Sequence, residues 1–279
     1  MAGKLFLCAT PIGNLSDMTF RCIETLKNAD LIAAEDTRNT IKLLNHFEIK
    51  TPMTSYHEYN KIDKGHYLVS LMQEGKNIAL VSDAGTPGIS DPGEELVRFC
   101  REAGVEVTSI PGPAACITAL TMSGQVTRRF CFEGFLPTDK KERGLVLERL
   151  RNETRTTIFY EAPHRLIKTL ELMQEYIGER SIVFCKELTK RYENALKMTV
   201  SEALAYYEEN PPRGEFVLVI EGMSQELLDA QERQSWETMT IEEHMNIYLE
   251  KGMNKKEAMK AVASDRGVSK RDIYQALID

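Results

Sequence analysis

Asn77-Ile78-Ala79-Leu80, followed by Val81-Ser82-Asp83-Ala84-Gly85-Thr86-Pro87-Gly88-Ile89-Ser90-Asp91-Pro92-Gly93, decides the fold of this chain. The apolar run reads as a buried strand. Glu94-Glu95-Leu96-Val97-Arg98-Phe99-Cys100 reads as an amphipathic helix entered through Pro92. A loop of small residues therefore sits at the carboxyl end of a strand, where open α/β sheets bind ligands. Three glycines and two prolines give it an unusual backbone path. A tight turn capped by Asp91 accounts for Asp91-Pro92-Gly93. It does not require Ala84-Gly85-Thr86-Pro87-Gly88 as well, and most strand–helix loops are shorter. The longer loop reads as a ligand loop.

The same alternation extends to both sides. Strands are predicted at 5–9, 31–34, 53–55, 78–82 and 105–110, and helices at 17–27, with Ser16 or Asp17 as cap, 37–47 and 61–74. Short connections between alternating elements imply a parallel, doubly wound sheet. Ile110-Pro111-Gly112-Pro113-Ala114-Ala115 is a second small-residue turn at a strand end, opening a helix from Ala114 to Ser123. Its alanines suit close helix–sheet packing, and equally the approach of backbone to a ligand at a helix N-terminus.

After Gly124 the texture changes. Strands are predicted at 130–133, 156–160, 181–185, 198–200 and 215–220, with helices between some of them, which implies a second α/β domain with a more mixed sheet. The expected organisation is a first α/β domain over 1–123, a second over 124–223, a polar linker over 224–237 and a helical tail over 238–279. The tail helices are expected at 240–250, 254–264 and 269–278, broken at Gly252 and Gly267. Ala261 to Tyr274 resembles a helix-turn-helix, with Ser269 as cap and Ile273 as an inward apolar residue. The tail carries seven Lys/Arg and seven Asp/Glu, so a small packed bundle and a nucleic-acid contact are both open.

The 279 residues are 42% hydrophobic and 28% charged, the composition of a soluble globular protein. No apolar run approaches a membrane span, and the apolar stretch before Thr10-Pro11 is too short for a signal peptide. A cytoplasmic location is expected. None of the six cysteines forms a C-x-x-C pair and no histidine has metal-ligand spacing, so free core thiols and no metal are expected. A net charge of −7 argues against a broadly basic coat. Between Arg128 and Arg155, however, eight Lys/Arg face five acids, and between Arg180 and Lys197 five face two, a concentration suited to a polyanion.

No G-x-G-x-x-G follows the first strand and no Walker lysine follows a glycine loop, so NAD and ATP are not indicated. What remains are small-residue loops and carboxylates, which suit a neutral or cationic ligand with an adenosine-like end.

Ala9-Thr10-Pro11-Ile12-Gly13-Asn14-Leu15, the 81–93 loop and 111–115 resemble the S-adenosyl-L-methionine-dependent tetrapyrrole methylase superfamily. Ala34-Glu35-Asp36-Thr37-Arg38, Phe132 to Pro137 and Phe159-Tyr160-Glu161-Ala162-Pro163-His164-Arg165 resemble its ribosomal RNA branch, which 2′-O-methylates a cytidine of 16S ribosomal RNA. The resemblance covers residues 4 to about 222. It implies two α/β domains with a cofactor cleft between them, a homodimer, no membrane, and 16S ribosomal RNA or the small ribosomal subunit as partner. Carried over motif by motif, S-adenosylmethionine binding falls to Pro11, Asp83, Ala84, Gly85, Thr86, Pro87 and Ile89, and to Pro113, Ala114 and Ala115. Tyr160, Glu161, Ala162, Glu215 and Phe216 join them from the second domain.

The 2′-hydroxyl needs a base, and Asp36, Glu133, Glu161 and His164 are the candidates. Arg38 and Arg165, with Arg128 and Arg129, are the expected phosphate partners. Two other functions share parts of this sequence: C-methylation of a precorrin-type tetrapyrrole, and nucleic-acid-binding regulation led by the tail. The Glu-Asp-Thr-Arg and Tyr-Glu-Ala-Pro-His-Arg motifs stand against the first, and two cofactor loops against the second.

Overall fold

The computed structural model of the chain describes residues 2–228, 230, 236 and 239–278. Of the stretch read as a linker, 229, 231–235 and 237 lie outside the described residues.

Strand β4 (Ile78–Val81) explains the first half of the molecule, because all four of its residues are buried. Ile78 and Leu80 face one way, onto Tyr56, Leu68, Leu96 and Phe99. Ala79 and Val81 face the other way, onto Cys22, Leu26 and Leu44. A strand apolar on both faces needs helices on both faces. Helices α3 (Lys61–Gln73) and α4 (Gly93–Glu102) cover one, and α1 (Phe20–Asn28) and α2 (Thr37–His46) the other. Each fully buried Leu or Ile contributes about 1.5–3 kcal/mol of transfer free energy.

With β1 (Lys4–Cys8), β2 (Leu31–Ala34), β3 (Met53–Ser55) and β5 (Glu106–Ile110), β4 forms a wholly parallel sheet in the order β3-β2-β4-β1-β5. β1 and β4 lie side by side at its centre. The chain leaving β1 goes to β2, on the far side of β4, and the chain leaving β4 goes to β5, on the far side of β1. Connections that depart in opposite directions open a crevice at the carboxyl ends of those two strands.

Helix α1 starts later than expected. Asn14 caps a single 3-10 turn over Leu15–Asp17, and Thr19, not Ser16 or Asp17, caps the α-helix by accepting the Cys22 amide at 3.2 Å. This start turns Cys22 and Leu26 inward.

The second sheet is mixed, in the order β6 (Phe130–Phe135), β7 (Thr156–Glu161), β10 (Phe216–Ile220), β8 (Ser181–Lys186), β9 (Asn194–Thr199). The last strand in sequence is inserted at the middle, antiparallel to β7 and β8, and is wholly buried. Helices α6 (Lys140–Arg151), α7 (Leu166–Ile177) and α8 (Val200–Glu209) cover one face through Leu147, Leu170, Met173, Val200 and Tyr207. The other face is covered by α5 (Ala115–Ser123), whose Cys116, Ala119 and Leu120 pack on Ile158, Val183, Cys185 and Val217. The helix that leaves the first sheet thus seats on the second, and its small side chains permit the close approach.

Both sheets fall in one compact unit; residues 152–154 and those from 222 onward form another. In that second unit, helices Ile241–Glu250, Lys255–Asp265 and Lys270–Ala276 each open with a reciprocal capping box, Thr240 with Glu243, Asn254 with Glu257 and Ser269 with Asp272. Gly252 and Gly267, at φ of 87° and 64°, follow the first two. Met245, Ala258, Val262, Ala263 and Ile273 make its core. None of the six cysteines is in a disulfide. Among the described residues no helix is long and apolar enough to cross a membrane.

Candidate cofactor and active site

The loop after β4 is held by one carboxylate. Asp91 accepts the amides of Gly88 at 2.8 Å, Ile89 at 3.2 Å and Gly93 at 2.7 Å. The turn so formed places Gly88 at φ 86° and Ser90 at φ 62°. At Gly93 a Cβ would stand 2.7 Å from the Asp91 Oδ1, so the helix must begin with glycine. Asp91 is therefore the organiser of the whole 88–93 turn, a larger role than capping a helix.

The front of the loop is sewn to its neighbours. Thr10 and Gly85 exchange two backbone hydrogen bonds, of 2.9 and 3.0 Å, joining the exits of β1 and β4. Thr86 donates to the Pro113 carbonyl at 2.9 Å, which ties the loop to the second small-residue turn. Gly112 lies so close to β1 that a Cβ there would meet the Ala9 Cβ at 2.7 Å.

The second sheet supplies the opposite wall. The Tyr160 hydroxyl accepts the Cys116 amide at 3.2 Å, at the start of α5, and burial pushes its phenol pKa up. Glu161 is buried and fully engaged: it accepts from the Thr169 hydroxyl at 2.6 Å and the Ala162 amide at 2.8 Å, and pairs with Arg165 Nε at 3.4 Å. Arg165 also donates to the Leu136 carbonyl, which turns it inward. Phe135 stands edge-on to Tyr160, ring centres 5.7 Å apart.

Between these walls lies a cavity of about 420 Å³, the size of a small-molecule site. Five carboxylates line it, from Glu35, Asp83, Asp91, Glu161 and Glu215, and among the described residues no Lys, Arg or His does. A smaller cavity of about 210 Å³ adjoins it, lined by Thr10, Pro11, Asn39 and Thr40 among others, and the two share Ser82 and Asp83.

Of the residues expected to bind cofactor, Asp83 to Thr86, Ile89, Ala114, Ala115, Tyr160 to Ala162, Glu215 and Phe216 line the larger cavity. Pro11 lines the smaller one, while Pro87 and Pro113 line neither. Of the candidate bases only Glu161 reaches the cavity. Asp36 instead caps α2 and grips Arg38; hydrogen bonds from the Arg38 side chain and amide hold its carboxyl down at about 2. Glu133 and His164 are exposed and outside the lining. Arg38, Arg128 and Arg129 are exposed.

Sequence reasoning passed over Glu35, which is half-buried in the larger cavity. Its position just past β2 was the available signal, since strand carboxyl ends face the crevice. Its carboxyl pKa is raised by burial and by the negative charges of Asp83, Asp91 and Asp36, against one lowering contact from the Asp83 amide at 3.4 Å. Leu188 and Val217 also line the cavity, and no local pattern marks either.

A family model described as Tetrapyrrole (Corrin/Porphyrin) Methylases matches residues 4–204. The chain belongs to the tetrapyrrole methylase family. It is a methyltransferase that uses S-adenosyl-L-methionine. A Bacillus subtilis (strain 168) protein called ribosomal RNA small subunit methyltransferase I is 52% identical over 98% of this chain and 94% of its own length. A Synechocystis protein of the same name is 49% identical over 99% and 98%. A third, from Thermotoga maritima, is 45% identical over 79% of this chain and 99% of its own length. Among solved structures, diphthine synthase aligns with a TM-score of 0.62 at 11% identity over 78% of this chain and 90% of its own. Uroporphyrin III C-methyl transferase from Thermus thermophilus aligns with a TM-score of 0.57 at 15% identity over 78% and 97%. These two share the fold.

The cavity fits the cofactor. S-adenosylmethionine carries a sulfonium and an ammonium, and a lining whose charged side chains are all carboxylates favours both, whereas it would repel the phosphates of NAD or ATP.

Proposed function

We propose that this methyltransferase acts on the 2′-oxygen of a cytidine ribose in 16S ribosomal RNA, free or within the small ribosomal subunit, as a cytoplasmic homodimer. The observation that carries the reading is near end-to-end identity of about one half with relatives named for ribosomal RNA of the small subunit. The tetrapyrrole-methylating proteins resemble the chain only in fold, at 15% identity for the Thermus thermophilus enzyme. A regulator led by the tail would need no enzyme cavity.

In this reading the backbone of Asp83 to Thr86 and of Ala114 and Ala115 holds the adenosine end, with Tyr160 to Ala162 closing the far wall. The bound cofactor supplies an electrophilic methyl. The chain's own work is to align a hydroxyl with it, to keep water out, and to take a proton. Arg128 and Arg129, exposed ahead of β6, and Arg38 beside the cavity supply phosphate contacts.

The test is to incubate the protein with labelled S-adenosylmethionine and small subunits lacking the methyl group. Label should appear at one 16S nucleotide, on the ribose, where it makes the next phosphodiester resistant to alkali. Label on a base, or none on RNA with transfer to a tetrapyrrole, would defeat the reading.

Deleting 238–279 should leave cofactor affinity unchanged and lower transfer to subunits only in part. The Thermotoga maritima relative is matched over 99% of its length by 220 residues of this chain, so a relative of the same name is shorter than this chain by about the length of such a tail. Lys260, Lys270 and Arg271 are exposed in the tail. If they touch phosphates, the truncated enzyme's salt dependence should be shallower by up to about 2 in log–log slope, at ~0.7 per single-strand contact. Calorimetry and transfer rates at several salt concentrations decide; lost cofactor binding would contradict the expectation.

A further inference from the structure

Methyl transfer to a ribose hydroxyl needs a proton acceptor, and the cavity offers five carboxylates that are not equivalent. Asp91 spends both oxygens on the amides of Gly88, Ile89 and Gly93. Glu161 is occupied by Thr169, Ala162 and Arg165. Glu215 pairs with Lys190 at 3.0 Å, and its side chain is 83% exposed. Asp83 is also exposed, and its Oδ1 accepts the Asp36 amide at 3.2 Å. Among the described residues the Glu35 carboxylate accepts a single hydrogen bond, from the Asp83 amide to Oε2 at 3.4 Å. Its Oε1 accepts no hydrogen bond from any described residue.

The position of Glu35 is as telling as its freedom. Asp83, whose amide it accepts, belongs to the wall shared by the cofactor-sized cavity and the smaller one. The smaller cavity has room for a single base, with Asn39 and Thr10 as polar groups and Pro11, Leu15 and Leu43 as apolar surface. A nucleotide with its base there would bring its ribose to the seam where Glu35 and Asp83 meet.

We propose that Glu35 is the proton acceptor for the substrate hydroxyl, at the seam between the two cavities. The inference rests on the ribose reading above. As the oxygen–methyl bond forms and the sulfur–methyl bond breaks, the sulfur keeps the bonding electron pair and Glu35 takes the hydroxyl proton, which it later releases to water. The charged groups facing Glu35 are Asp36 at the start of α2, with Arg38 paired to it, and Asp83 and Asp91 on the loop after β4. Three of the four are negative. Together with burial they make Glu35 a stronger base than an ordinary carboxylate.

Single-turnover transfer to methyl-free small subunits, measured from about pH 5 to about pH 9, tests this. The wild-type rate should rise with unit slope and then level off. Glu35→Gln keeps an oxygen for the Asp83 amide, so the fold should survive, and with the other four lining carboxylates in place cofactor affinity should fall less than about tenfold, read by melting and calorimetry. Its plateau rate should fall by about 10²- to 10⁴-fold, with subunit KM little changed, and its acid limb should vanish. Glu35→Asp restores a carboxylate, so part of the rate and a displaced acid limb should return; it also carries the test if the glutamine variant does not fold. A Glu35→Gln enzyme within about threefold of wild type, or one that keeps the acid limb or loses cofactor binding, overturns the assignment. The methyl position in the wild-type product is mapped first. A methyl off the ribose overturns the reading underneath, whereas a wrong base shows only in the variants.

Discussion

Asp91→Ala should destabilise the protein by about 2–4 kcal/mol and weaken S-adenosylmethionine binding more than tenfold. The carboxylate accepts three backbone amides within six residues of chain. Hydrogen bonds to a charged acceptor are worth about 1.5–3 kcal/mol each, but they are not additive here, because amides released near the surface regain water. Alanine also frees Ser90 from its left-handed backbone, which costs about 1–2 kcal/mol to hold. The relaxed loop would carry Ile89 and Ser90 away from the cavity they line. Urea titration and calorimetry measure the two effects. Asp91→Asn keeps one acceptor oxygen and should fall between alanine and wild type. A variant with wild-type stability would mean that the turn is held by its glycines and prolines alone.

That loop was legible in the sequence because every part of it is local. The strand, the glycines, the prolines and both aspartates lie within seventeen consecutive residues. The parallel, doubly wound character of the first sheet follows from the same kind of signal, short apolar runs with short connections, whereas its strand order does not. What could not be read depends on residues far apart in the chain. β10 slots between β7 and β8, and that insertion brings Val217 to the cavity beside Tyr160 and Glu161, together with Glu215 and Phe216, which only the family resemblance pointed to. Nor does the sequence show that α5 packs on the second sheet, since its alanines suit either sheet. Asp36 attracted attention as a base through its place in a motif. Its spacing to Arg38 is that of an N-cap, and the cap is what it makes. One residue earlier, Glu35 has no local partner to satisfy and so is left facing the crevice.

The arrangement divides labour between two ends of one loop. Asp91, at the helix end, is committed to backbone and shapes the turn. Asp83, at the strand end, makes one backbone contact and stands between two cavities. Loops at strand ends commonly serve both purposes, with the scaffold's rigidity supplying position and a few uncommitted side chains supplying chemistry.

Asp83→Ala should therefore behave differently from Asp91→Ala, with cofactor affinity falling about 10- to 150-fold and the melting temperature unchanged. The affinity figure is the loss of one charge-assisted contact, about 1.5–3 kcal/mol, converted at 1.4 kcal/mol per tenfold. The stability expectation follows from how little Asp83 holds. Among the described residues its carboxylate accepts only the Asp36 amide, at 3.2 Å, and that amide lies near enough to solvent to find water. The charge also opposes the Glu35 carboxylate beside it, so its removal relieves a repulsion within the fold. Asp83→Asn separates charge from shape: the amide oxygen can still accept the Asp36 amide, but the attraction for a cationic ligand is gone, so asparagine should bind cofactor nearly as weakly as alanine. Calorimetry and thermal melting on the same samples read both quantities. A lowered melting temperature with intact affinity would assign Asp83 to the turn, and the carboxylates that attract the cofactor would then be sought on the opposite wall, at Glu161 and Glu215.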